Sequence, residues 1–180
     1  MEISIDHEIA LKTLTLFHAA EVYQGIMHSS ESLEQYLPWV KNVINKGSAV
    51  QYIEQRINSG KAGAMWYAVY IKQQFSGIFA VKEVDPLNAV AEIGYWLVES
   101  ARGKRVVARI LAKMLPYLYR HNVVKYVEFH CLEENLASIN VAQRAGATFQ
   151  YYLSSSIEIA NKVQRLGVYK LDLTNIQGND

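Results

Sequence analysis

Ala91-Glu92-Ile93-Gly94-Tyr95-Trp96-Leu97-Val98, followed by Arg102-Gly103-Lys104-Arg105-Val106-Val107, is the stretch on which the reading of this 180-residue chain turns. The first segment reads as a strand, Val90–Val98, and the second as a basic, glycine-containing turn that opens an apolar-periodic helix. Backbone N–H groups in such a turn, backed by the positive end of the following helix dipole, can hold an anion of pyrophosphate size. The helix spans Val106–Tyr119, because apolar residues at 107, 110, 111, 114, 115 and 118 keep to one buried face. A strand over Val123–Cys131 is then reached by a helical crossover, which requires at least one parallel strand pair.

Upstream, Met65–Ile71 and Phe75–Val81 are rich in aromatic and β-branched residues and form a hairpin around Lys72-Gln73-Gln74. Residues 18–59 are largely helical. Ser30 caps a short helix carrying Leu33, Tyr36 and Leu37, ended by Pro38, and the capping-box pattern Ser48-Ala49-Val50-Gln51 opens a helix near 49–59 that stops at Gly60. Downstream, Asn135 caps a helix over Leu136–Ala145 with Gly146 as its stop, and strands near 148–158 and 163–172 flank a turn at Asn161-Lys162.

With 51% hydrophobic residues, the chain has material for one sizeable core, so a single domain over 1–173 with a fraying polar tail, 174–180, is expected. Eighteen basic against seventeen acidic residues leave a net charge of +1, which gives little footprint for nucleic acid or an anionic membrane. Cys131 stands alone and precludes an internal disulfide, so a reduced, cytoplasmic setting fits. Histidines 7, 18, 28, 121 and 130 show no metal-ligand spacing and read as surface or packing residues. The N-terminus lacks a signal-peptide pattern, and no stretch approaches the ~18 apolar residues of a spanning helix.

This order of elements, together with Tyr36-Leu37-Pro38-Trp39-Val40, Ala91–Leu97, Glu134-Asn135-Leu136-Ala137-Ser138 and Arg144-Ala145-Gly146-Ala147-Thr148-Phe149, resembles the GNAT superfamily of N-acetyltransferases. More narrowly, it resembles the branch that acetylates ribosomal-protein N-termini. The resemblance implies an α+β fold: a mixed, mostly antiparallel sheet of about six or seven strands, its fourth and fifth strands splayed, flanked by about four helices. It further implies acetyl-coenzyme A as co-substrate with no metal, and an acceptor that is a peptide or protein N-terminus or a small amine. A monomer and a homodimer are both open.

On that resemblance Leu97 and Val98 contact the pantetheine arm and the thioester carbonyl, and the turn from Arg102 through Gly103, Lys104, Arg105 and Val106 to Val107 holds the pyrophosphate. Asn135 and Ser138 contact pantetheine, with Ser138 a general acid. Glu92 is a candidate base that also faces substrate, and Tyr36 and Trp39 wall the acceptor site. Glu158 is a weaker second base. The chain departs from the family's phosphate pattern at Arg105 and Val107, where Gly and Gly or Ala are expected; a β-branched residue resists positive φ. Arg165 also falls near a position where relatives carry an acid. The rival to the enzyme is a non-catalytic binding module in which those two loop positions have closed the cofactor site. Asn135 as a plain helix cap, and Tyr36 and Trp39 as plain packing, are the structural alternatives.

Overall fold

Two short segments that the hydropathy pattern leaves unmarked open the fold. In the structure, a computed structural model that describes residues 1–121, 124–159 and 161–175, they form an antiparallel hairpin of β1 (Glu2–Ser4) and β2 (Ile9–Thr13). Three helices follow, α1 (Ala19–Met27), α2 (Ser30–Glu34) and α3 (Lys46–Ile57). The remaining elements are β3 (Met65–Ile71), β4 (Gln74–Asp85), β5 (Val90–Leu97), α4 (Val106–His121), β6 (Tyr126–Leu132), α5 (Leu136–Arg144), β7 (Thr148–Ile159) and β8 (Lys162–Asp172). The strands make one sheet in the order β1-β2-β3-β4-β5-β6-β8-β7, in which β5 and β6 are parallel and every other neighbouring pair is antiparallel.

Local chemistry sets most boundaries. Lys72 and Gln73, at φ 48° and 66°, make a two-residue β3–β4 turn with both central residues left-handed, the hand that matches strand twist. Asn135 Oδ1 accepts the Ser138 N–H at 3.1 Å and starts α5, and Gly146 at φ 98° follows its end. Tyr95 and Trp96 point to opposite faces of β5. Tyr95 meets Ser138 of α5, and Trp96 Nε1 donates to the Tyr52 hydroxyl of α3 at 2.9 Å, so α5 covers one face of the sheet and α3 the other. Tyr67, Phe79 and Phe129 are the largest fully buried side chains of the core between these layers.

The fold class is as expected, with more elements than the pattern indicated. Eight strands replace six or seven, because the β1–β2 hairpin is too short to show alternation, and five α-helices replace four. The expected fourth and fifth strands are therefore β5 and β6. The capping box sits three residues earlier than expected: Asn45 Oδ1 accepts the Ser48 N–H at 2.9 Å while Ser48 Oγ accepts the Asn45 N–H at 3.0 Å, so α3 begins at Lys46. Ser30 lies inside α2 rather than capping it. Ser29 precedes it, and its hydroxyl accepts the Glu99 N–H at 3.0 Å, tying the α1–α2 corner to the end of β5. Val123, expected in β6, and 176–180 of the expected tail lie outside the described residues. Thr174, the first tail residue, is held by its amide and hydroxyl on Asp172 Oδ1 at 2.8 and 2.6 Å. Among the described residues no helix is long and apolar enough to cross a membrane.

Candidate active site

Strands β5 and β6 pair only from Val90↔Tyr126 to Ile93↔Phe129, although β5 runs on to Leu97 and β6 to Leu132. Past that point the two diverge, and the backbone edge of β5 faces a gap. Val98 N–H donates to the Ser76 carbonyl at 3.0 Å, so residues of even number here bond toward β4, and by antiparallel alternation the peptide groups of Tyr95 and Leu97 point into the gap. Arg102 Nε caps the Leu97 carbonyl at 3.1 Å. What remains open is a short row of strand-edge groups, the Leu97 N–H among them, ready to pair with an extended ligand.

A cleft of about 830 Å³ runs through this gap, within the range of small-molecule sites. On one face of the sheet it is bounded by Tyr36 and Leu33, on the other by Ala108 and Ala112 of α4 and Ala137 and Val141 of α5. Small side chains on two facing helices keep the channel open.

At its far end lies the basic turn. Gly103 has φ 73° and Arg105 φ 56°, and Arg109 N–H is bonded to the Arg105 carbonyl at 3.0 Å, which makes Arg105 the residue before the first helical turn. The amides of Val106, Val107 and Ala108 therefore have no carbonyl one turn back, and the first turn of α4 carries no acid. Anion-binding character follows from these amides and the helix dipole. Val107 is inside α4 and buried, so no positive φ is asked of it, and the obstruction expected there does not arise. Arg105 alone bears the left-handed strain. Arg105→Gly is expected to raise unfolding stability by about 0.5–1 kcal/mol, the relieved strain less the added chain entropy of glycine, measurable by denaturant titration.

Three polar side chains meet where the gap begins. Ser138 Oγ lies 3.3 Å from the Tyr95 hydroxyl and 3.3 Å from Cys131 Sγ. Burial pushes the Tyr95 phenol up to about 12 and pushes the Cys131 thiol up as well, so both are neutral proton carriers near pH 7 and Cys131 is not a thiolate nucleophile. On the opposite face of the sheet Glu92 is engaged by Lys82 and faces His130, whose Nδ1 lies 3.5 Å from Glu92 Oε1 and whose Nε2 lies 3.2 Å from Glu128 Oε2. On the face that carries Trp96, Trp39 packs tilted against Tyr52 at 4.5 Å between centroids, with Trp96 at 6.3 Å from Trp39, and the Arg56 guanidinium lies 3.4 Å from the centre of the Tyr52 ring.

Of the residues singled out from sequence, Tyr36, Leu97, Arg102, Gly103, Arg105, Val106, Val107, Asn135 and Ser138 line the one cleft. Val98 bonds away from it, Lys104 stands outside its lining, Trp39 packs against Trp96 rather than lining it, and Glu92 sits in the ionic cluster on the opposite face of the sheet from Ser138. Glu158 is exposed near the β7–β8 turn, and Arg165 is paired with Glu133 at 2.8 Å. Tyr95 and His130 were missed. Glu128-Phe129-His130 carried a signal, since residues two apart on a strand share a face. Among the described residues no group of three or more His, Cys, Asp or Glu side chains is placed to hold a metal ion.

The chain matches the acetyltransferase (GNAT) domain family over residues 8–148. It is 24% identical over 145 residues to the ribosomal-protein-serine acetyltransferase of Escherichia coli (strain K12), covering 80% of this chain and 81% of that protein. Its fold superposes on RimL, a ribosomal L7/L12 alpha-N-protein acetyltransferase in complex with coenzyme A, with a TM-score of 0.87 at 20% identity over 96% of this chain and 98% of that one. It also superposes on the microcin C7 self-immunity acetyltransferase MccE in complex with acetyl-CoA and AMP, with a TM-score of 0.86 at 25% identity over 94% and 95%. With a family match over well above half its length, this chain belongs to the GNAT acetyltransferase family.

Proposed function

We propose that the protein is an acetyl-coenzyme A-dependent N-acetyltransferase that modifies the α-amino group of a protein N-terminus by direct attack within a ternary complex. The observation that carries this reading is the cleft that passes through the sheet at the β5–β6 splay, because it gives one ligand access from the α4–α5 face and a second from the α1–α3 face. The relatives named above support the acceptor class. The chain's groups fit the co-substrate: free amides at the start of α4 and the cation of Arg105 for its phosphates, and the open edge at Leu97 for its amide-bearing arm. Bound there, it supplies an activated acyl group. The Leu97 N–H and the neutral Tyr95–Ser138 pair lie where charge develops on the carbonyl oxygen and then on the departing sulfur.

Titration with acetyl-coenzyme A is expected to give micromolar binding, about −8 kcal/mol, with acetyl transfer to peptides bearing a free N-terminal serine or alanine. Ser138→Ala is expected to lower kcat about 100-fold with little change in acetyl-coenzyme A affinity, since the α5 cap uses the Ser138 amide and not its hydroxyl. Unchanged kcat would remove Ser138 from the chemistry. No binding at millimolar ligand would sink the proposal.

A small-molecule amine with an anionic group is a second acceptor class, favoured by Arg56. That guanidinium is stacked among aromatic rings, and its desolvation is offset by Tyr52 rather than by a carboxylate. Including such amines in the peptide panel separates the two.

A further inference from the structure

We infer that His130 is the proton acceptor for the incoming amine and that Glu92 positions it, an assignment that rests on the acetyl-transfer reading above. His130 follows directly on Phe129, the last β6 residue paired to β5, and so stands at the vertex of the splay. Its neighbour Cys131 points to the other face and touches Ser138. One step along β6 thus separates the groups facing the departing sulfur from the ring facing the acceptor side, the geometry that direct transfer through a gap in a sheet demands.

The partners define the working atom. Glu128 Oε2 lies 3.2 Å from Nε2 and Glu92 Oε1 lies 3.5 Å from Nδ1; the nearer carboxylate takes the one hydrogen of the neutral ring, which puts it on Nε2. Nδ1 then holds the lone pair, turned toward β5 with Glu92 Oε1 at 3.5 Å. An ammonium reaching the vertex meets a carboxylate and a free imidazole nitrogen together. Lys82 from β4 engages Glu92, and Lys170 from β8 lies 3.7 Å from Glu128 and over the Tyr126 ring at 4.6 Å. The ring and both carboxylates are mostly but not wholly covered, with side-chain exposures of 22%, 18% and 17%, so the ring is held yet reachable. Glu92 is already engaged by Lys82, which leaves the Nδ1 of His130 as the uncommitted acceptor of the pair.

In the step, an ammonium proton passes to Nδ1, which gives an imidazolium held by Glu92 and Glu128. The freed lone pair forms the N–C bond at the thioester carbonyl carbon. Collapse breaks the C–S bond, and the sulfur takes the second excess N–H proton through Ser138 and Tyr95. His130 then releases its proton to water, so one ammonium and one thioester give one amide, one thiol and one proton.

The test measures thiol release from acetyl-coenzyme A against pH, with peptides bearing N-terminal serine or alanine and a simple diamine as acceptors. In the parent protein kcat/KM is expected to rise with pH along a limb set by the group that takes the amine proton. His130→Gln, which can still bond Glu128, is expected to lose about 100-fold in kcat and the limb with it. Its acetyl-coenzyme A affinity and unfolding midpoint should be unchanged, and added imidazole should restore part of the rate. His130→Asn serves if the first variant fails to fold. Glu92→Gln is expected to lower kcat less and to shift the limb rather than abolish it. A parent limb that survives in His130→Gln at undiminished kcat overturns the assignment alone. A parent protein that turns over none of the amines overturns the acetyl-transfer reading and this assignment together.

Discussion

Ala108→Trp is expected to weaken acetyl-coenzyme A binding by at least about 100-fold, roughly 2.7 kcal/mol, in calorimetric titration. Ala108 is exposed, lines the cleft and sits on the first turn of α4. Helical side chains lean toward the N-terminus of their helix, so an indole at this position covers the amides of Val106 and Val107, the donors on which anion binding depends. No core contact is disturbed. The cost to the fold is a helix-propensity difference of about 0.5 kcal/mol, or roughly 2 °C in the unfolding midpoint. Affinity within threefold of the parent would show that the phosphates bind elsewhere.

The largest effect on stability is expected at Gly77, on β4 behind the splay. Its φ is 140°, and a Cβ there would lie 2.1 Å from the Trp96 carbonyl oxygen and 2.8 Å from Leu97 Cα. Both obstacles are backbone, so nothing can swing aside; β4 and β5 have to separate. Gly77→Ala should destabilise the protein by about 3 kcal/mol, or roughly 6–12 °C in midpoint. Gly60→Ala is the control, because Gly60 also has positive φ, 68°, but open space where the methyl would go. It should cost about 1 kcal/mol. Equal losses in the two variants would mean that dihedral strain, and not contact with β5, sets the penalty. The displacement in Gly77→Ala also moves Leu97, so co-substrate affinity is expected to fall with stability at this position and not at Gly60.

Much of this architecture was legible because its punctuation is local. The bounds of β3 follow from the aromatic and β-branched run Met65–Ile71, α5 from the reach of Asn135 to the Ser138 amide, and the parallel pair from the helix interposed between β5 and β6. The N-terminal hairpin was not, since three residues of β1 carry no period and its stability comes from pairing with β2 and, through it, β3. The α3 cap went to Asn45 and not Ser48 because Ser48 takes the place of the usual Glu or Gln in the reciprocal bonds, a pairing that the sequence pattern does not mark. The basic turn was misjudged at Val107 for a similar reason: a family spacing assigns positions, whereas the chain settles which residue carries the left-handed twist, here Arg105. His130 escaped because a strand sequence gives the face of each residue but not the neighbouring strands. Its meaning depends on Glu92 from β5 standing opposite Glu128, a juxtaposition made 36 residues apart by the register Glu92↔Glu128.

Among the described residues, the four pairs from Val90↔Tyr126 to Ile93↔Phe129, with the Lys125 and Tyr126 N–H groups on the Ala89 carbonyl just before them, form the seam that joins the part of the sheet built from β1–β5 to the part built from β6–β8. On the proposed reading an extended ligand lies along Leu97 and adds rungs where that seam stops, so its binding free energy is delivered at the joint between the two parts. With ligand at one hundred times its Kd, mass action adds about 2.7 kcal/mol to the closed state. On the proposed reading, resistance of this chain to partial unfolding and proteolytic nicking is expected to rise with the concentration of its acyl donor, which limited proteolysis with and without acetyl-coenzyme A measures.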